Sequence, residues 1–397
     1  MIDKEALLNE WDFSTVPSPC YVLHEGMLAA NMEVIDKVRR ATQAEIIVAL
    51  KANAMWSIFP ELKKHSDGAT ASSLAEARLV YEEYGEKTHT YAPVYAPEEI
   101  DEILRYSSHI TFNSLTQYAR FAEKAHAAGV SCGLRVNPEY STVETDLYNP
   151  CDRGSRLGIL AEELTALPEG IDGLHFHALC ESRPDDLRNT LAAVEERFGK
   201  FFPQIKWLNM GGGHHITRND YDIARLEKCI TYAQDQWNLC VYLEPGEAVA
   251  LNAGYLITRV LDIVENNGTH IAILDTSAAC HMPDVIEMPY MPPLYGAKAV
   301  TDKPATNADS THPDFVYRLA GPTCLAGDVI GDYTFAAPLH EGSLLVFQDM
   351  AIYSTCKNNT FNGMPLPDIY KMQTDGAFVK LTDFGYSDFK MRLGKYR

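Results

Sequence analysis

Short apolar runs that end in polar or small residues recur at regular spacing along the first 250 residues. Runs of this kind are typical of strands that are buried on both faces, as in a parallel sheet. Between them lie stretches with apolar residues at helical spacing, including 73–85 and 114–129, and both close on a glycine suited to a helix end. The eight apolar runs are 46–53, 68–73, 88–93, 109–114, 132–137, 173–178, 207–213 and 240–246.

Eight strands that alternate with helices favour a (β/α)8 barrel over an open doubly wound sheet. After residue 250 the pattern changes to longer alternating runs, and Asn267-Gly268 is a strong hairpin signal. These runs predict a second, all-β domain, built as a β-barrel or a β-sandwich. The stretch 19–26 contributes either a strand or a linker. We expect the barrel to span 24–252 and the β domain to combine 1–23 with 253–397.

Composition narrows the class of protein. The chain has 397 residues, 46% of them hydrophobic, and a formal net charge of −20, which fits two globular domains. This charge argues against nucleic acid as a partner, because phosphates require a basic surface. It weakly favours a cationic small substrate, although ordinary solubility explains it equally well.

Address and metal content follow from the same survey. No apolar run approaches the ~20 residues of a membrane span, and no secretory signal is recognisable. The nine cysteines form no CxxC pair and no zinc-type spacing with histidine, so neither a disulfide framework nor a metal site is indicated. We therefore expect a cytoplasmic protein that binds no metal, membrane or nucleic acid.

Chemically distinctive side chains gather where the predicted strands end, which is where the active site lies in barrels of this kind. An amine in such a place is costly to bury unless it is neutral, paired or used covalently. Glycine runs after the seventh strand commonly approach phosphate. The candidates are Lys51 after the first strand, His177 after the sixth, Gly211, Gly212 and Gly213 after the seventh, and Glu244 after the eighth.

This combination predicts pyridoxal 5'-phosphate as the cofactor. That cofactor needs an amine for its aldehyde, a group that packs on its ring, a phosphate site and an acid opposite its ring nitrogen. Each residue also has a plainer interpretation: a salt-bridged lysine, a core histidine or a tight glycine turn. All four functional parts occur together and in a fitting order.

The sequence resembles the fold type III pyridoxal-phosphate decarboxylases, the family that contains eukaryotic-type ornithine decarboxylase and diaminopimelate decarboxylase. The resemblance covers nearly the whole chain and implies a barrel, a β domain and a homodimer with shared active sites. Its motifs are "ALKAN", "GLHFH", "NMGGG", "LEPG", "GPTCLAGD" (321–328), and Tyr353 followed by "FNG" (361–363).

The resemblance also implies roles for these residues. Lys51 would hold the cofactor covalently and His177 would stack on its ring. Glu244 would keep the ring nitrogen protonated, while the three glycines and Tyr353 would serve the phosphate. Cys324, reaching in from a partner subunit, would return a proton to the substrate carbon.

Departures from the family pattern point to the substrate. "GPTCLAGD", "CHMPDVIEMPY" (280–290) and "EPGEA" are similar to the carboxynorspermidine (carboxyspermidine) decarboxylases within the family. Acids, Glu247 and Glu287, replace arginines of relatives, and Leu325 replaces an acid. An acidic pocket suits a substrate with extra ammonium groups. We expect Glu247 and Asp284 to bind these groups, with Glu181 and Glu287 as further candidates.

The resulting hypothesis is decarboxylation of carboxynorspermidine, and of carboxyspermidine, to norspermidine and spermidine plus CO2 in polyamine biosynthesis. Several alternatives stay open at this point. The acids pair with the protein's own lysines and arginines, or the enzyme is a diaminopimelate or ornithine decarboxylase. An amino-acid racemase and a non-catalytic cofactor-binding homologue also remain.

Overall fold

The computed structural model describes residues 11–143, 145–301 and 315–394. The chain forms two compact units. Residues 29–249 form the first, and the residues before 29 together with those from 250 onward form the second.

The first unit contains a closed barrel of eight parallel strands that pair in chain order. Every predicted strand is present and ends a few residues before its apolar run does, because the polar end of the run already belongs to a loop. The predicted (β/α)8 barrel is therefore confirmed. After β1 (Cys20–His24) in the other unit, the barrel strands are β2 (Glu45–Ala49), β3 (Gly68–Ala71), β4 (Thr88–Tyr91), β5 (Ser107–Phe112), β6 (Ser131–Arg135), β7 (Ile171–His175), β8 (Trp207–Asn209) and β9 (Cys240–Leu243).

Capping residues set the helix ends that the sequence predicts. Ser73 accepts a hydrogen bond from the Glu76 amide, and Ser114 accepts one from the Gln117 amide, each satisfying a free donor of the first helical turn. The helices up to residue 250 are α1 (Glu25–Thr42), α2 (Phe59–His65), α3 (Leu74–Leu79) with a π-helical continuation (Val80–Tyr84), α4 (Ile100–Tyr106), α5 (Leu115–Ala127), α6 (Pro184–Phe198), α7 (Ile223–Trp237) and α8 (Glu247–Ala250), with 3-10 turns at Phe13–Thr15, Trp56–Ile58, Asp146–Tyr148 and Gly199–Gln204.

The second unit is built on one mixed sheet that nine strands of the described chain form. β1 lies inside it, antiparallel to β10 and parallel to β16. The Asn267-Gly268 hairpin is confirmed, with φ of +49° and +78° as a type I′ turn requires. Its elements are β10 (Gly254–Asn266), β11 (Thr269–Leu274), α9 (Ala278–His281), α10 (Asp284–Glu287), β12 (Ala297–Ala299), β13 (Phe315–Ala320), β14 (Val329–Phe335), β15 (Leu344–Gln348), α11 (Ser354–Lys357), a 3-10 turn (Phe361–Gly363), β16 (Asp368–Met372), β17 (Phe378–Thr382) and α12 (Tyr386–Arg392).

The predicted strand-rich second domain is thus confirmed, with short helices between its strands. As for membranes, the helices of the described ranges include none with both the length and the apolar character that a membrane crossing requires.

Inside the barrel, two glycines make room for one large ring. The Trp207 indole lies against Gly133 and Gly173, where a Cβ atom would stand 2.2 Å and 1.9 Å from its ring atoms. The indole also contacts the rings of His109 and Tyr242 edge-on. A side chain at either glycine would have to displace a ring that is 4% exposed.

Gly173→Ala should therefore lower the free energy of unfolding by about 3 kcal/mol, since overpacking a rigid core costs that order of energy. Urea unfolding of the cofactor-free protein, followed by circular dichroism, measures this. Gly68→Ala is the matched control: it also lies on a barrel strand, but its Cβ would meet Ile47 at an ordinary 3.5 Å. Equal unfolding midpoints for the two variants would contradict this packing account.

Candidate active site

Lys51 follows β2 and places its Nζ atom 3.3 Å from Nε2 of His177. The side chain as a whole is solvent-accessible, but protein atoms crowd its amine. Desolvation lowers the pKa of Lys51, and the negative charges of Glu244 and Glu247 only partly offset this. A lysine with a lowered pKa carries more of the neutral amine, which is the form that attacks an aldehyde.

The His177 ring is held by a backbone donor. The Gly212 amide donates a hydrogen bond to Nδ1 at 2.9 Å, so Nδ1 accepts and the neutral ring carries its proton on Nε2. Desolvation, with the charges of Lys51 and Arg135, lowers the pKa of His177 well below its usual value. The proton on Nε2 then points to the lone pair of a neutral Lys51 amine.

Glu244 lies at the end of β9 with one carboxylate oxygen fixed. Its Oε1 accepts a 2.7 Å hydrogen bond from Nδ2 of Asn209, and Asn209 accepts in turn from the Gly211 amide at 2.8 Å. The second oxygen, Oε2, is 3.8 Å from Nε2 of His175, beyond hydrogen-bonding distance. Burial raises the pKa of Glu244, while the Asn209 hydrogen bond and the Lys51 charge lower it.

The three glycines after β8 allow the loops that follow β7, β8 and β9 to meet. A Cβ at Gly211 would lie 2.5 Å from the Phe176 carbonyl, and one at Gly212 would lie 2.3 Å from the Glu244 carbonyl. Gly213 adopts φ of +85°, which glycine reaches without strain. The amides of Gly211 and Gly212 are used within the protein, and the described chain offers the Gly213 amide no acceptor.

Several buried polar atoms at this mouth lack partners. His175 is 1% exposed, and neither of its ring nitrogens is hydrogen-bonded within the described residues. Arg135 stacks 4.7 Å above the Tyr91 ring and donates to the His177 carbonyl at 3.1 Å, but its buried Nε has no acceptor there. Orphaned polar atoms are rare in folded proteins, and here they surround the amine, the imidazole and the carboxylate that pyridoxal phosphate requires. The residues present fit this cofactor.

The predicted substrate-binding acids fall into two groups. Glu247 accepts a 3.1 Å contact from Nε2 of His215, and Glu181, on a loop after β7, joins them so that one ligand atom from each residue lies within 4.8 Å of the others. Asp284 and Glu287, on α10 of the second unit, both pair with the ammonium of Lys357. Three side chains with such ligand atoms could hold a cation.

Cys324 and Tyr353 lie in the second unit. Cys324 is exposed, and its amide donates to Asn362 at 2.8 Å. The buried carboxylate of Asp328 holds the same loop through the Thr323 hydroxyl at 2.6 Å. Tyr353 precedes α11 with φ of +56° and ψ of −33°, a strained backbone of the kind that clusters at functional sites.

Sequence reasoning missed three of the residues that organise these features. Asn209 begins the "NMGGG" motif, His215 ends "GGGHH" and Asp328 ends "GPTCLAGD". All three lie next to motif residues that were recognised, and their polar character at the end of an apolar strand or glycine run is the signal that could have found them.

A family profile described as "Pyridoxal-dependent decarboxylase, C-terminal sheet domain" matches residues 20–351. The chain belongs to this family. The predicted decarboxylase activity and pyridoxal-phosphate cofactor are therefore confirmed, in preference to a racemase or a non-catalytic homologue.

Individual relatives lie close to the full length of the chain. It is 45% identical over 390 residues to a carboxyaminopropylagmatine decarboxylase from Synechocystis sp., covering 98% of both proteins. It is 40% identical to a carboxynorspermidine/carboxyspermidine decarboxylase from Campylobacter jejuni, covering 96% of this chain and 99% of the relative. A crystal structure of carboxynorspermidine decarboxylase complexed with norspermidine, from the same organism, superimposes with a TM-score of 0.88 over 95% of this chain and 100% of that one.

Lys51 should take up pyridoxal phosphate at a lower pH than an ordinary lysine does. Because its pKa is lowered, the neutral amine should be half-formed below the pH of about 10.4 that is typical of lysine. Cofactor-free enzyme is incubated with pyridoxal phosphate across this pH range, reduced with borohydride and analysed by peptide mapping. Lys206, whose side chain is 78% exposed, serves as the internal comparison. Absence of label on the Lys51 peptide would overturn the assignment.

Proposed function

We propose that the enzyme removes CO2 from carboxynorspermidine, and from carboxyspermidine, to give norspermidine and spermidine in polyamine biosynthesis. The observation that carries this proposal is the acidic pair Glu247 and Glu181. Neither carboxylate meets a lysine or arginine in the described residues, so both keep their charge for a cationic ligand. The name of the Campylobacter jejuni relative supports the same substrate class.

Pyridoxal phosphate supplies, when bound, the electron-accepting ring that takes up the electron pair left behind by CO2. Lys51 would hold it through Nζ at the barrel mouth. His177 would pack against the ring in the orientation that the Gly212 amide imposes. Glu244 would hold a proton on the ring nitrogen through the carboxylate oxygen that Asn209 leaves free, since a nearby carboxylate favours the cationic form.

The phosphate would rest on a narrower set of donors than the glycine run alone suggests. Gly213 has an amide to donate, while Gly211 and Gly212 shape the loop and use their amides on Asn209 and His177. The Tyr353 hydroxyl would complete the phosphate site. Its strained backbone supports a functional position.

The substrate's ammonium groups would bind Glu247 and Glu181 first. Asp284 and Glu287 remain weaker candidates, because each would have to exchange Lys357 for the substrate. A charged partner is needed wherever an ammonium leaves water, and these carboxylates provide it. Leu325, 43% exposed, offers no charge in the place where relatives carry an acid.

Carboxyaminopropylagmatine is the second candidate substrate. The 45% identical relative from Synechocystis sp. carries the name of this activity. A guanidinium would meet the same acids, since a carboxylate accepts two parallel hydrogen bonds from it.

A turnover assay on a substrate panel tests the function directly. Carboxynorspermidine and carboxyspermidine should release CO2 with kcat/KM at least about 100-fold above that for diaminopimelate or ornithine, because only the longer substrates fill the acidic subsite with a cation. CO2 release is measured for each at equal enzyme concentration. Preferential turnover of carboxyaminopropylagmatine would favour the second candidate, and efficient use of diaminopimelate alone would rule out both.

We further propose that the enzyme works as a homodimer in the cytoplasm, with each site completed by Cys324 of the partner subunit. The thiol would return a proton to the substrate carbon after CO2 leaves. Its exposure in a single chain agrees with a role that needs a second subunit. All nine cysteines are free thiols, which suits a reducing compartment.

Complementation between inactive variants tests the shared site. Lys51→Ala and Cys324→Ala chains, differently tagged and co-expressed, should form mixed dimers with one intact site each. The mixture should then recover about a quarter of wild-type activity, because half of the dimers carry one native site of two. Each variant expressed alone is the control. If the mixture is no more active than the variants alone, both residues act within one chain.

A further inference from the structure

We propose that His215 is the positioning residue of the substrate's cation subsite, holding Glu247 beside Glu181 without neutralising either acid. This inference deepens the function proposed above and rests on it. The sequence analysis gave His215 no role.

The contact geometry is the first support. His215 is 7% exposed and its Nε2 lies 3.1 Å from Oε2 of Glu247. Its Nδ1 is buried and has no hydrogen-bond partner within the described part of the chain. A proton on Nδ1 would therefore be an unsatisfied buried donor, so the neutral ring carries its proton on Nε2 and donates it to Glu247.

A neutral donor has a consequence that a cation would not have. It fixes the direction of the Glu247 carboxylate and leaves its negative charge for a ligand. Lys357 does the opposite to Asp284 and Glu287, whose charges it neutralises. The two acidic groups of this chain therefore differ in what they offer a cationic substrate.

The position of the cluster is the second support. His215, Glu247 and Glu181 come from the loops after β8, β9 and β7, which meet at the barrel mouth. The Glu247 charge acts on the Lys51 amine. Burial raises the pKa of the intervening Cys180 thiol to about 12, and the charges of Glu247 and Glu181 contribute. The receptor thus lies within electrostatic reach of the reactive amine.

Glu181 has the features of a ligand-facing residue. It is exposed and adopts φ of +48°, which a residue with a long side chain rarely does. Together with Glu247 it presents two carboxylates to one point, and an ammonium group with several N–H donors can bridge them. The ligand class is an ammonium of the substrate chain.

Steady-state kinetics on the holoenzyme tests the role of His215. His215→Ala should raise KM for carboxynorspermidine at least about tenfold and change kcat by less than about threefold, because the lost contact concerns ground-state binding. His215→Gln keeps an N–H donor near Glu247 and should bring KM back to within about threefold of wild type. Glu247→Arg should raise KM more than either. Calorimetry should show the same order of affinities for norspermidine.

His65→Asn is the matched control. His65 also contacts carboxylates, Asp36 at 3.3 Å and Glu61 at 3.5 Å, but these lie on α1 and α2. Its loss should leave KM and norspermidine affinity unchanged.

Three results would overturn the inference. Equal KM and norspermidine affinity in wild type and His215→Ala is the first. Equal damage in the alanine and glutamine variants, with lowered melting temperatures, would assign His215 a purely structural role. Stoichiometric Zn²⁺ binding that His215→Ala abolishes while KM stays unchanged would make the cluster a metal site. If the wild-type enzyme turns over no carboxylated triamine, the proposed function itself fails, which is a separate outcome.

Discussion

One hydrogen bond, from the Gly212 amide to Nδ1 of His177, sets the proton positions at the barrel mouth. A backbone N–H can only donate, so Nδ1 must accept and the ring proton must lie on Nε2. That nitrogen faces the Lys51 amine at 3.3 Å. A glycine loop therefore does more than make room: it decides which atoms of an imidazole and an amine carry hydrogen before any ligand binds.

The barrel was predictable because its strands obey a simple rule. A strand buried on both faces is continuously apolar, and its first polar residue marks the mouth. Lys51 and Glu244 were found in this way, since each follows an apolar run directly. The place of β1 could not be read from the sequence, because 19–26 is equally apolar whichever unit it joins. Its partners, β10 and β16, lie on the far side of the barrel in the chain.

Partners of the site residues were less predictable than the residues themselves. The sequence reveals that Glu247 and Asp284 are acids where relatives differ, but not that one meets a histidine and the other a lysine. Such pairings depend on loop paths and rotamers, which have no periodic signal. The difference is large in physical terms, since an imidazole donor preserves a carboxylate's charge whereas an ammonium cancels it.

The order in which β1 finds its neighbours has a consequence for biosynthesis. β1 is made before the barrel, while β10 and β16, which flank it, are made after it. A strand without neighbours exposes unpaired backbone groups on both edges. Throughout synthesis of residues 29–249 the nascent chain thus carries an open strand, and the sheet closes only after the barrel sequence has emerged. Delayed closure of long-range strand pairs is slow and exposes the chain to association with other copies. Production of this enzyme is accordingly limited by protection of its first strand while the barrel is being made.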